Sequence, residues 1–160
     1  MKIALTLLLA LFGASSVAQA QAPKGDAAAG AKLNASCIGC HGIPGYQSSF
    51  PEVHKVPMIS GQNAKYIAAA LNAYKKGDRK HPSMRAVAAT LSEQNIADLA
   101  AYYATHGAPS AVADTAAVQP TPEVAALLAK GACVSCHGAN FSKPIDGAYP
   151  TIAGQFPDYL

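Results

Sequence analysis

The sequence predicts an all-α protein made of two tandem small domains. Three observations predict it. Alanine dominates the chain after its first twenty residues, tryptophan is absent and β-branched residues do not gather into runs, a composition that favours helix over strand. Apolar residues recur at helical spacing in several segments bounded by capping residues and glycines. The hexapeptide CIGCHG at Cys37–Gly42 returns as CVSCHG at Cys133–Gly138, so one kind of unit is used twice.

Residues 1–20, MKIALTLLLALFGASSVAQA, carry a single charge at Lys2, an apolar run from Ile3 to Phe12, and Ala18 and Ala20 ahead of Gln21. This is the pattern of a secretory signal peptide with an Ala-x-Ala-like cleavage site. The apolar run is too short and too weakly flanked for a membrane span. The mature chain is therefore expected to begin near Gln21, in an exported compartment, with length for one medium domain or two small ones. Of the 12 Lys and Arg residues, Lys2 leaves with the signal, so 11 face 9 acidic residues and the near-neutral balance gives no nucleic-acid signal.

The first domain is expected over residues 21–107. Asp26 can cap a helix from about Ala27 that delivers Cys37 and Cys40 at its end, with Cys-x-x-Cys-His forming a tight turn. A polar loop with Gly42, Pro44, Gly45, Pro51 and Pro57 then wraps without regular structure. From Asn63 to Lys76, Ile67, Ala70, Leu71 and Tyr74 share one helical face, and Gly77 is a fitting stop. A long loop follows. Ser92 opens a further helix whose Ile96, Leu99, Ala100 and Tyr103 repeat the spacing, with Gly107 ending it.

Residues 108–122, APSAVADTAAVQPTP, have proline at both ends and no useful apolar period, so they read as a linker. The second domain, residues 123–160, opens at Glu123 with a helix that delivers Cys133 as the first helix delivers Cys37. A second block repeats as well: Pro57–Ile67 aligns with Pro150–Leu160, keeping Pro, Ile, Gly, Gln and Tyr in place. The cysteines are offset by 96 residues and this block by 93, so the intervening loop is three residues shorter in the second copy. Three or four helices with long loops supply too little core for the first domain unless something large and apolar fills its middle.

Four cysteines in an oxidising compartment would ordinarily suggest disulfides. Cys-x-x-Cys followed at once by His is instead the attachment signature of c-type haem, in which the thiols add to the vinyl groups and the adjacent imidazole reaches the iron. Zinc binding and dithiol chemistry are the other uses of this spacing. On the haem reading Cys37, Cys40, Cys133 and Cys136 hold the cofactor covalently, and His41 and His137 are proximal iron ligands.

The sixth position must come from a distant segment, and a methionine thioether there favours ferrous iron. Met84, in the loop before Ser92, is preferred to Met58, because Met58 lies in the shared block where the second copy has Thr151. Met58 then fills a gap beside the cofactor. His54 and His81 are the imidazole alternatives, and otherwise solvated loop histidines. Lys75, Lys76, Arg79, Lys80 and Arg85, against the single Asp78, gather positive charge near Met84. They form either a docking patch for an acidic redox partner or a solvated helix end.

These residues resemble the cytochrome c4 family, dihaem periplasmic carriers made of two tandem class I cytochrome c domains. The match rests on both CxxCHG motifs, the Pro-x-x-x-Gly-Gln block in each half, and the stretch from Tyr74 through Met84 to LSEQNIADLAAYYATHG. The resemblance implies two covalently bound haem c groups, with His41 and Met84 on the first iron and His137 on the second. It implies a one-electron carrier rather than an enzyme, working in a respiratory chain with a membrane quinol-oxidising complex or a terminal oxidase, and with peripheral membrane association.

The sequence departs from the family at its end. Leu160 corresponds to Ile67, so the counterparts of residues 68–106, Met84 among them, are missing from the second copy. The expectation is a truncated second domain with an open core, the sequence being a fragment of a complete dihaem protein; as a natural product instead, its second iron would be five-coordinate or borrow a ligand such as His106. The alternative function is a haem-containing electron-transfer subunit, or a haem protein that binds a small ligand at an open second iron.

Overall fold

In the computed structural model, which describes residues 22–107 and 119–160, the chain enters its first helix through Asp26. The Asp26 carboxylate accepts from the N–H groups of Ala28 and Ala29, at 2.8 and 3.4 Å, and so caps α1 (Ala27–Leu33). The expected signal peptide and residues 108–118 of the expected linker lie outside the described residues.

A single helix into the cysteines was expected, but the chain breaks at Asn34 and resumes as α2 (Ala35–His41). Asn34 is almost fully buried: its amide donates to the Tyr102 hydroxyl at 3.2 Å and its carbonyl oxygen accepts from the Tyr103 hydroxyl. Those bonds satisfy a side chain that would otherwise be an unpaired polar group in the core, and they fix the kink. The Cys-x-x-Cys-His motif is correspondingly helical rather than a tight turn.

The loop expected to be irregular contains a short antiparallel pair, β1 (Gln47–Ser48) with β2 (His54–Lys55), in the register Gln47 to Lys55 and Ser48 to His54. Then come α3 (Ala64–Lys76), closed by Gly77 at φ 87°, and α4 (Pro82–Ala89). Met84, expected in a loop, sits on α4. The start signal is local: the His81 side chain accepts from the Met84 N–H, and Pro82 occupies the first helical position with its φ already set. Helix α5 (Glu93–Thr105) begins with a capping box between Ser92 and Asn95.

The core lies where α1 and α3 pack against α5. Ile67, Ile96, Leu99, Ala100 and Tyr103 are buried there, and Ala88 of α4 is buried as well. The approach of α1 to α5 is backbone to backbone at Gly30, where an added Cβ would stand 2.2 Å from the Asp98 carbonyl oxygen. Asp98 itself is buried, and its carboxylate accepts from the Asp26 N–H and the Gln94 amide, both at 2.8 Å.

In the second half Thr121 caps α6 (Pro122–Lys130), one residue ahead of the expected opening at Glu123, and α7 (Val134–His137) carries the second motif. Val124 and Leu127 on α6 are exposed. The segment from Gly138 to Leu160 has no regular element and lies against the first half. Lys65 pairs with Asp146 at 2.8 Å, Lys55 N–H donates to the Asp158 carboxylate, and the Lys55 ammonium stands 5.4 Å from the Phe156 ring centre. Among the described residues no helix is long and apolar enough to cross a membrane.

Candidate haem-binding site

Each histidine of the repeated motif is aimed by one hydrogen bond. His41 Nδ1 lies 2.9 Å from the Pro57 carbonyl oxygen, and His137 Nδ1 lies 2.8 Å from that of Pro150. A carbonyl can only accept, so Nδ1 carries the proton and the Nε2 lone pair is left for a metal. Burial pushes the His41 pKa below its usual value, against the opposing pull of the Pro57 carbonyl, which favours the neutral ring that ligation requires. The thiols stand beside these rings. All four cysteines are free, and burial raises the Cys37 pKa, opposed by the Ser36 and Tyr103 hydroxyls.

Cys37, Cys40 and His41 open on a cavity of about 500 Å³. Its walls are largely apolar, with Ile67, Leu71, Val87 and Leu99 among them, and Met58 and Met84 both contribute. That volume falls in the range of cofactor sites. The first domain thus has the large apolar occupant's space that its thin core called for, with two thiols and an imidazole at the edge. The donor set fits a thioether-linked haem. For zinc it falls short: no group of three or more His, Cys, Asp or Glu able to hold a metal ion occurs among the described residues.

His54 and His81 also line this cavity, with ring centres 6.1 Å apart, and are partly buried rather than solvated. His106, the candidate for a borrowed ligand, stacks on Tyr102 at 4.5 Å instead. The second motif does not line the cavity, but the second half does: Pro150, Thr151, Ile152, Gln155, Tyr159 and Leu160 close one side of it.

The basic cluster divides. Arg79 turns inward, donating to the Tyr66 hydroxyl at 3.1 Å and the Tyr159 hydroxyl at 3.0 Å, with its guanidinium 4.7 Å from the centre of the Tyr74 ring. No carboxylate lies within ion-pair distance of it among the described residues, so its positive charge lines the cavity held by tyrosine hydroxyls rather than by a counter-ion. Lys75 donates to the Leu91 carbonyl and reaches Glu93. Lys76, Lys80 and Arg85 remain exposed.

Sequence reasoning placed Arg79 only in the basic cluster near Met84, not at the cavity, and gave Gln62 and Gln155 no role. The two glutamines were visible as part of the repeated block, but nothing in that repeat says what their amides touch.

Comparison with known proteins agrees with this geometry. The Cytochrome c family profile matches residues 27–106. Cytochrome c4 of Pseudomonas aeruginosa is 32% identical over 163 residues, covering 99% of this chain and 77% of that one. The thiosulfate dehydrogenase electron acceptor of Thiomonas intermedia is 30% identical over 166 residues, covering 99% of this chain and 70% of that one. Among solved structures, cytochrome c4 of Acidithiobacillus ferrooxidans superposes with a TM-score of 0.59 at 28% identity, covering 79% of this chain and 77% of that one.

Proposed function

The chain belongs to the cytochrome c4 family, carriers of electrons on covalently bound haem c, and from that premise we propose that it works in the periplasm as a dihaem one-electron carrier of a respiratory chain. When bound, each haem supplies an iron that cycles between ferric and ferrous. The single observation that carries the reading is the repeated triad: two thiols and an imidazole whose Nδ1–H is committed to a proline carbonyl, once at His41 and once at His137.

The chain's own residues do the rest. Cys37 and Cys40, and again Cys133 and Cys136, supply the sulfurs for attachment. His41 and His137 present Nε2 to the metal, held in one tautomer and one orientation. Met84, on a short helix that His81 and Pro82 start and in which Ala88 is buried, lines the cavity and would hold the first iron through its thioether. The apolar walls of the cavity would keep water away from a bound haem and limit what rearranges when an electron is exchanged.

Partners are redox proteins. The name of the Thiomonas relative, a thiosulfate dehydrogenase electron acceptor, supports a dehydrogenase as one electron donor; a membrane quinol-oxidising complex or a terminal oxidase is the further partner that family membership suggests. Exposed Lys76, Lys80 and Arg85 suit an acidic docking face, with or without peripheral membrane association. The test is expression of the whole coding sequence with haem maturation machinery, followed by intact mass and a potentiometric titration. Two covalent haems on a chain beginning near Gln21, each taking one electron, are expected. A colourless product with free thiols would overturn the reading.

A further inference from the structure

The two halves meet through the repeated block, and they meet symmetrically. Gln62 and Gln155 are equivalent positions 93 residues apart, as are Met58 and Thr151. The Gln62 amide donates to the Thr151 carbonyl, and its oxygen accepts from the Thr151 N–H, both at 2.9 Å. The Gln155 amide donates to the Met58 carbonyl, and its oxygen accepts from the Met58 N–H, both at 3.0 Å. Each glutamine oxygen also accepts from the next residue's N–H, Asn63 at 3.0 Å and Phe156 at 3.1 Å. An oxygen receiving two N–H donors cannot be exchanged with the amide nitrogen, so both side-chain orientations are determined. Gly61 and Gly154, each at φ 75°, turn the chain just ahead of them.

One peptide group is used at both ends in each bridge. The carbonyl of Pro57 accepts the His41 Nδ1–H, and the N–H of that same Pro57–Met58 peptide donates to Gln155. The carbonyl of Pro150 accepts the His137 Nδ1–H, and the N–H of the Pro150–Thr151 peptide donates to Gln62. Two short relays result: Gln155 to peptide to His41, and Gln62 to peptide to His137. Hydrogen bonds in series polarise one another, so an acceptor on the peptide N–H makes its carbonyl a better acceptor for the imidazole proton. A more strongly held Nδ1–H makes Nε2 a better electron donor to a metal.

We infer that Gln62 and Gln155 are positioning residues that act across the interface, each orienting and tuning the proximal histidine of the other half's haem. The inference rests on the haem-carrier reading for its redox consequence but not for the bridges themselves. A stronger imidazole donor stabilises ferric iron, so losing the relay raises the reduction potential of the haem it serves. The effect crosses over: Gln155, in the second half, governs the first haem, and Gln62, in the first half, governs the second.

The experiment is a pair of near-isosteric variants of the whole chain, Gln155→Met and Gln62→Met, loaded with haem. Potentials are assigned to each haem by NMR of its methyl resonances during the titration. Gln155→Met is expected to shift the potential of the haem on Cys37 and Cys40 upward and leave the other within error, and Gln62→Met to do the reverse. A shift confined to the haem of the mutated half, or an equal shift in both, overturns the inference, since simple loosening of the interface has no reason to cross over. Should either variant fail to fold, amide exchange in the wild-type chain decides. Met58 and Thr151 N–H groups are expected to be protected at least tenfold more than exposed loop amides, and free exchange at either one overturns the bridge. If the wild-type chain carries no haem, the carrier reading falls while the exchange measurement still tests the bridges.

Discussion

Replacing Gly30 by alanine is the sharpest test of how the haem-bearing segment is held. In an isolated helix the change stabilises by about 1 kcal/mol, because glycine is the weaker helix former. Here the added Cβ would stand 2.2 Å from the Asp98 carbonyl oxygen, 2.6 Å from its carbon and 2.7 Å from the Tyr102 Cβ. The first of these falls 1.2 Å short of the 3.4 Å at which ordinary contact begins, and none of the three atoms lies at the end of a flexible chain. Relief requires α1 to back away from α5, and overpacking of this kind typically costs about 1–3 kcal/mol. With the helix-propensity gain set against the upper end of that range, Gly30→Ala is expected to destabilise by about 2 kcal/mol. That is a large part of the ~5–15 kcal/mol that holds a domain folded. Urea titration followed by far-ultraviolet circular dichroism should show a lower midpoint at unchanged slope. Gly39→Ala, on α2 with nothing within 4 Å of the added carbon, is the control and should be neutral or slightly stabilising. An unchanged or raised midpoint for Gly30→Ala would refute the close-approach argument.

Met84→Ala is expected to abolish the sulfur-to-iron absorption of the first haem and let the ferrous protein bind carbon monoxide there, while Met58→Ala leaves both unchanged; visible spectra decide, and the opposite pattern exchanges the two roles. Asp98→Ala removes a buried acceptor shared by the Asp26 N–H and the Gln94 amide, and should lower unfolding stability by about 1–3 kcal/mol in the same urea assay. Reversing charge at Lys76, Lys80 and Arg85 together should slow electron exchange with an acidic redox partner by roughly tenfold at low ionic strength. Stopped-flow rates for variant and wild type should converge as salt rises, because the Debye length contracts to about 3 Å at 1 M. Equal rates at low salt would remove the patch from the docking face.

The parts of this fold that were legible in the sequence are those fixed by neighbours in the chain. Asp26, Gly77 and Ser92 end or begin helices through bonds to residues within four positions, and such signals survive whatever the rest of the molecule does. The Cys-x-x-Cys-His triads are likewise local. What could not be read depends on partners far away in sequence. Asn34 breaks the first helix because Tyr102 and Tyr103 stand over it, 68 and 69 residues on. Arg79 looks like one more cation among lysines until Tyr66 and Tyr159, 13 and 80 residues away, draw it inward.

The repeat was legible, but its consequence was not, because a sequence that contains one block twice does not say whether each copy satisfies itself or its twin. Gln62 and Gln155 answer that question. Each sends its side-chain amide to the backbone of the other copy four residues ahead of the matching glutamine, at Thr151 and at Met58. Two copies meeting through one self-complementary patch make the contact that a two-fold symmetric dimer makes, here within a single chain. Such a contact places equivalent peptides beside the two histidines, Pro57–Met58 at His41 and Pro150–Thr151 at His137, so a change on one side of it reaches the metal ligand on the other. The duplication therefore supplies more than a second site for an electron: it gives each haem-binding half part of the other's histidine support.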